Sequence, residues 1–163
     1  MKKLIIGIDP GKGGGICFIE IDTELSGDRT PVMDFFKYPD DPLKLEILVE
    51  GYTSQYSSDE TFCAIEQVWA FPGDAKKAAF SFGFNYGIWN SVLIRNELDY
   101  EEVRPRKWQT HFKTPKLGKK ERKRWLKELA IDLALNKYKT DKRVTFNVSD
   151  AILIAEYGRH LCE

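Results

Sequence analysis

The run Leu4-Ile5-Ile6-Gly7-Ile8 stops at Asp9-Pro10-Gly11, and after Gly13-Gly14-Gly15 the apolar pattern resumes as Ile16-Cys17-Phe18-Ile19-Glu20-Ile21. Short β-branched runs bounded by glycine and proline read as strands, and two of them across so brief a turn form a hairpin. The opening therefore commits the chain to a sheet whose first strand is buried and ends in a carboxylate. Pro31 to Tyr38 can supply a third strand. Asp41-Pro42 then starts a helix that carries Leu45, Leu48 and Val49 at helical spacing, with proline in its first turn. Thr61-Phe62-Cys63-Ala64-Ile65 is a fourth strand, delivering Glu66 at its end, and Tyr100 to Arg104 is a fifth.

The helices fall between and after these strands. Pro72-Gly73-Asp74 breaks the chain before a segment from Ala75 to about Arg95 that is apolar on two lines, Phe80, Phe84 and Ile88 on one, Tyr86, Trp89 and Leu93 on the other. A helix apolar on two sides must be covered on two sides. With Gly83 and Gly87 four residues apart, the segment is a candidate subunit interface, and a buried central helix explains it nearly as well. A basic loop through Trp108, His111, Lys113 and Lys116 leads to Gly118-Lys119-Lys120, which opens a basic helix with Trp125, Leu129 and Leu133 at four-residue intervals. A final helix follows Asp141-Lys142-Arg143, with Asp150 in its first turn and a narrow apolar face of Ala151, Ile154, Ala155 and Gly158. At 163 residues, 42% of them hydrophobic, the chain has room for one core. The expectation is a single α/β domain over residues 1–163 with a mixed sheet.

Several function classes drop out. The first apolar run meets Asp9 too soon for a signal-peptide core, and no apolar run is long enough to span a bilayer. A cytoplasmic protein that makes no membrane contact is expected. Cys17, Cys63 and Cys162 fit neither a disulfide framework nor a zinc site, and His111 and His160 lack partners at metal spacing. Gly11-Lys12-Gly13-Gly14-Gly15 lacks the Gly-Lys-Ser/Thr ending of a phosphate-binding loop and enters a strand. No serine or cysteine sits in a nucleophile motif.

The net charge of zero conceals an asymmetry: residues 104–143 hold 15 Lys and Arg against 4 Asp and Glu. Such a block suits a polyanion, because lysines and arginines that displace condensed counterions supply most sequence-independent affinity for nucleic acid. A solvated helix face is the plainer alternative. Lys107, Lys113, Lys116, Lys120, Arg122 and Lys123 are the candidate DNA contacts. Against this block stand three acids where sites are usually built: Asp9 and Glu66 at strand ends, Asp150 at the head of the last helix. Singly, each has a duller role as turn residue, surface acid or helix-end charge. Together they suit Mg²⁺, which prefers oxygen ligands; two such ions about 4 Å apart can clamp the attacking and leaving oxygens of a phosphodiester.

The strings Ile6-Gly7-Ile8-Asp9-Pro10-Gly11, Ile65-Glu66-Gln67-Val68-Trp69 and Ser149-Asp150-Ala151-Ile152-Leu153-Ile154-Ala155-Glu156-Tyr157-Gly158 resemble, in order and spacing, the three acidic motifs of RuvC-type Holliday-junction resolvases. Gly83 to Trp89 and Pro105 to Lys113 look closest to the phage and plastid branches. The resemblance implies an RNase H-like mixed five-stranded sheet flanked by helices. It also implies a homodimer that makes paired, Mg²⁺-dependent nicks in a four-way DNA junction, with Mn²⁺ as a substitute ion. By position Asp9, Glu66 and Asp150 would be metal ligands, Lys119 or its neighbour Lys120 the basic catalytic residue, and Trp69 an aromatic wedge, a core tryptophan being the alternative. Asn147 stands where bacterial members carry Asp or His; its carbonyl can bind Mg²⁺ but brings no charge. Two other readings stay open, a broader nuclease of branched DNA and an inactive junction-binding protein. A sugar-kinase or actin-like phosphotransferase would need a second domain.

Overall fold

The computed structural model describes residues 2–22, 31–69, 73 and 75–162. Five strands, β1 (Lys2–Asp9), β2 (Gly15–Asp22), β3 (Val32–Lys37), β4 (Thr61–Glu66) and β5 (Tyr100–Val103), form one sheet in the order β3-β2-β1-β4-β5. β1, β2 and β3 pair antiparallel in sequence, and β4 and β5 add parallel to β1. Of the turn at Pro72-Gly73-Asp74, Pro72 and Asp74 lie outside the described residues; Gly73 adopts φ +105°, a backbone that favours glycine.

Alternation along the strands feeds two cores, one on each face. Leu4, Ile6 and Ile8 pack with Ile65, Leu45 and Val49 of α1 (Pro42–Thr53) and Trp89 and Leu93 of α2 (Lys76–Arg95). The start of α1 is fixed by Asp41, whose carboxylate accepts the amides of Leu43 and Lys44 ahead of Pro42. On the opposite face Ile5, Cys17, Ala64 and Val103 meet α3 (Pro105–His111), α4 (Lys119–Asp132) and α5 (Phe146–Leu161). Cys17 and Cys63 are buried free thiols.

Three sequence expectations need correction. The basic loop after β5 begins as a helix, α3, because Arg104-Pro105 starts it and Trp108 is buried beneath it. The buried stripe of α4 is Leu126, Ala130 and, beyond its end, Ala134, one residue over from the line Trp125, Leu129 and Leu133, which is only partly covered. The last helix has no narrow apolar face: Val148, Ser149 and every residue from Ala151 to Gly158 are buried, since sheet, α3 and α4 enclose it.

The seat of α5 is Gly7. A Cβ there would lie 2.2 Å from the Ala155 nitrogen and 2.5 Å from the Ala151 carbonyl oxygen, so helix backbone rests directly on strand backbone. Farther along, Gly158 faces Ile5 and the ring of Phe62. Beyond α4 one turn, Leu133–Lys137, widens to π geometry, with the Tyr138 amide donating to the Leu133 carbonyl. It brings Lys137 and Tyr138 to the buried carboxylate of Glu156 on α5, where Arg159 also donates. Gly7→Ala should cost about 3 kcal/mol or more by denaturant unfolding, because rigid backbone must move. Gly158→Ala should cost less, since its contacts are side-chain atoms at 3.1–3.3 Å that can shift.

Candidate active site

The parallel register that pairs Ile8 with Ile65 makes Asp9 and Glu66 the next residues on their strands. Neighbouring strands lie about 4.8 Å apart, and residues two apart share a face, so both side chains rise beside α5 with Gly7 and Ala64. The amide of Gln67 donates to the Val103 carbonyl at 2.9 Å and holds the ends of β4 and β5 together. Asp150 immediately precedes Ala151, whose carbonyl sits over Gly7, so the seat of α5 delivers the third carboxylate. α5 begins at Phe146, which places Asp150 beyond the first turn and removes the reading of it as a helix-end charge.

The charges of the three acids act on one another. Glu66 is pushed up to about 8 by burial first, then by the charges of Asp9 and Asp150, against one hydrogen bond from Trp108. Asp150 rises to about 6 through burial and the charge of Asp9, opposed by Lys123 and a Ser149 hydroxyl. Burial also raises Asp9, against the Gly11 amide, 3.1 Å from Oδ1, and the charge of Lys123. The glycine turn wraps this carboxylate: a Cβ on Gly14 would stand 2.2 Å from the Asp9 carbonyl oxygen and 2.6 Å from Cγ. The Gly-rich segment thus serves close packing around Asp9.

Trp108 escaped sequence reading as a partner of the acids, and Lys123, expected as a DNA contact, also acts on them. Trp108 is fully buried and donates its indole N–H to Glu66 Oε1 at 3.0 Å. Nothing in a basic segment announced that its tryptophan would point inward, although a lone aromatic flanked by polar residues is the pattern to look for. Among the cations, Lys123 is the one whose charge acts on Asp9 and Asp150. It lines a cleft of about 420 Å³ with Lys120, Arg124, Phe146, Ser149 and Asp150. Lys119 is exposed at the first residue of α4, one turn before Lys123 on the same face.

The remaining candidates separate. Asn147 Nδ2 donates to the Gly13 carbonyl at 2.6 Å, tying the hairpin turn to α5. An aspartate there would set oxygen against oxygen. Trp69 is 57% exposed, which removes the core-tryptophan alternative; the fully buried tryptophans are Trp89 and Trp108. Lys113 and Lys116 are exposed, Lys113 in the left-handed region at φ 54° just past α3. Lys107 pairs with Glu101 at 3.3 Å. His111 and His160, distant in sequence, lie with ring centroids 4.6 Å apart and planes tilted by 43°, and His111 also meets Tyr157. Among the described residues no three His, Cys, Asp or Glu side chains are gathered tightly enough to hold a metal ion. The donor chemistry nevertheless suits a hard divalent cation: three oxygen-only groups repel one another, and a cation between them would relieve that repulsion.

A pH dependence follows. A carboxyl whose folded pKa lies above its unfolded value binds its proton more tightly in the native state, so stability falls as pH rises between the two values. For Glu66 that window runs from the ordinary 4.5 to about 8, and for Asp150 from 3.8 to about 6. In EDTA, stability measured by denaturant should decline from pH 6 to 8, and Glu66→Gln should flatten that decline. A slope unchanged in the variant would mean that Glu66 is ionised and solvated at neutral pH.

The sequence matches no family model and no curated protein. The fold does have solved counterparts. RuvC of Thermus thermophilus aligns at TM-score 0.56 and 13% identity over 95% of this chain and 91% of that one. The same protein in complex with a Holliday junction substrate aligns at 0.56 and 13%, over 95% and 90%. A fowlpox virus resolvase bound to substrate Holliday junction DNA aligns at 0.52 and 12%, over 96% and 99%. The sheet order, the helices on both faces and these alignments establish that the chain has the RNase H-like fold of the RuvC-type resolvases.

Proposed function

We propose that this chain is a metal-dependent, structure-selective endonuclease that resolves four-way DNA junctions by paired symmetric nicks. The observation that carries the reading is the placement of Asp9 and Glu66 at paired strand ends, under the helix that carries Asp150, beside a cleft lined by Lys120, Lys123 and Arg124. The solved structures that share the fold are, by their names, RuvC and a poxvirus resolvase, two of them with junction DNA.

Asp9, Glu66 and Asp150, with the side-chain carbonyl of Asn147, would hold Mg²⁺ or Mn²⁺, two ions per site, whose Lewis acidity would offset charge gathering on the phosphate oxygens. The protein's own groups do the rest. The charge of Asp9 acts on both other acids. The indole of Trp108 fixes one oxygen of Glu66 and leaves the other to face the site. Lys123, with Lys119 one turn away, offers positive charge to a phosphate brought against the acids, stabilising the extra negative charge of in-line attack by water. No covalent protein intermediate is involved. The exposed indole of Trp69 offers a stacking surface for an unpaired base at a branch point. Symmetric nicking calls for two sites, and α2 supplies a surface for a homodimer: Phe80 and Phe84 are exposed, their rings stacked at 6.3 Å, and nothing lies within 4 Å of a Cβ built on Gly83 or Gly87.

The test is incubation with a labelled four-way junction and a linear duplex of the same sequence, each with EDTA, Mg²⁺ or Mn²⁺. Symmetric nicks in the junction alone, dependent on metal, are expected. Equal cutting of forks or duplex would replace resolution by general debranching, and binding without cutting in either metal would remove the enzyme reading. Asp9→Asn should abolish cleavage and retain junction binding, because losing a negative charge adds no repulsion to the phosphates. Trp108→Phe keeps a ring in the core but removes the donor, and is expected to weaken Mn²⁺ affinity, read by calorimetry without DNA, about 10-fold.

A further inference from the structure

The cations of the basic block do not form one surface. With successive residues about 100° apart, Lys120, Lys123 and Arg124 share one side of α4 and Arg122 stands roughly 150° round from them. Lys120, Lys123 and Arg124 line the cleft that holds Asp150. Arg122 turns to a second groove of about 790 Å³ between α3 and the start of α4, lined also by Arg106, Gln109, Thr110, Lys116 and Leu117. On α3 the groove-lining Arg106, Gln109 and Thr110 lie opposite Trp108, so the groove is on the side of α3 turned away from Glu66.

Charge in this groove is uncompensated. No ion pair or hydrogen bond engages the side chains of Arg106, Lys116 or Arg122 among the described residues, and no acid lines the groove. Glu121, next to Arg122, folds back over Gly118 at the head of α4. Other cations do have acidic partners, Lys107 in Glu101, Lys137 in Glu156 and Lys142 in Asp34. Three unmatched cations converging on one concave surface, with amide and hydroxyl donors beside them, suit a chain of phosphates.

We propose that this groove is a second phosphate track, which holds the backbone of the uncut strand while the cut strand lies against the acids; the inference rests on the DNA-cleaving function proposed above. Spacing supports it. The two clefts flank the first turns of α4, and a helix with its side chains is about 10–12 Å across, which matches the width of about 12 Å of a DNA major groove. The start of α4 then lies in that groove with one strand on either side. Arg106 joins the DNA-binding residues, and Lys107, held by Glu101, is not part of either track.

The experiment measures junction binding in EDTA against salt concentration for the wild type and for the combined Arg106→Gln, Lys116→Gln and Arg122→Gln variant, with thermal melting as a control for folding. Loss of three phosphate contacts should lower the slope of log affinity against log salt by about 2.7, and weaken binding roughly 100-fold at 0.15 M salt, for each protomer engaged with the junction. A variant with Arg106→Lys and Arg122→Lys should keep most of the slope. A patch of three neutral methylphosphonate linkages walked along the uncut strand should weaken wild-type binding at one position and have no further effect on the Gln variant there. A slope equal to wild type, or additive losses at every position, would overturn the second track while leaving the cleavage site intact. Failure of the wild type to bind the junction would overturn the function and the track together.

Discussion

The contact on which the site depends is backbone against backbone: α5 lies on β1 because Gly7 has no side chain and Ala151 and Ala155 have almost none. Closer approach of helix and strand brings dispersion contacts and excludes water along the helix, which explains how one element can be buried almost all round in so small a protein. The same approach sets the height of Asp150 against Asp9 to within the length of a side chain. An electrostatic arrangement is thereby fixed by steric means. Burial first, and the neighbouring acids second, raise the proton affinity of Glu66 and Asp150 there.

Much of this was written in the chain. The end of an apolar strand is legible, so Asp9 and Glu66 could be placed at strand ends, and the parallel register of β1 with β4 sets those ends side by side. The cap Asp41-Pro42 and the stop at Asp9-Pro10-Gly11 are local signals, fixed by neighbouring backbone alone. What could not be read depends on partners distant in sequence. Trp108 lies in a segment dominated by charge, and its inward direction follows from a hydrogen bond to a residue on another strand. Lys119 and Lys123 are equivalent by composition and periodicity; only the position of α4 over the acids distinguishes them. The inward line of α4 was misjudged by one residue because Trp125 and Leu129 lie at its margin, where large side chains are half covered. Likewise the histidines gave no sign of their pairing, since α3 and α5 meet only in the fold.

The two faces of α2 show what a pattern of apolar residues can and cannot decide. Trp89 and Leu93 are enclosed by the sheet and α1, as periodicity demands. On the other line Phe80 and Phe84 stand 75% and 60% exposed, while Ile88 packs partly against that core. Hydrophobic spacing specifies that a face wants cover; whether the same chain supplies it is a matter of how many elements remain to pack. Among the described residues α1 is the helix that packs beside α2, and it leaves Phe80 and Phe84 uncovered.

The π turn at Leu133–Lys137 is anchored by Glu156, deep in the core, whereas residues 119–124 at the other end of α4 are all exposed. One end of the helix is thus tied into the core, through the π turn and through Leu126 and Ala130, while the other presents its side chains to solvent. Because one helix carries both, Arg122 and Lys123 keep a fixed angle about a common axis, and the direction of each is set by the same two buried residues.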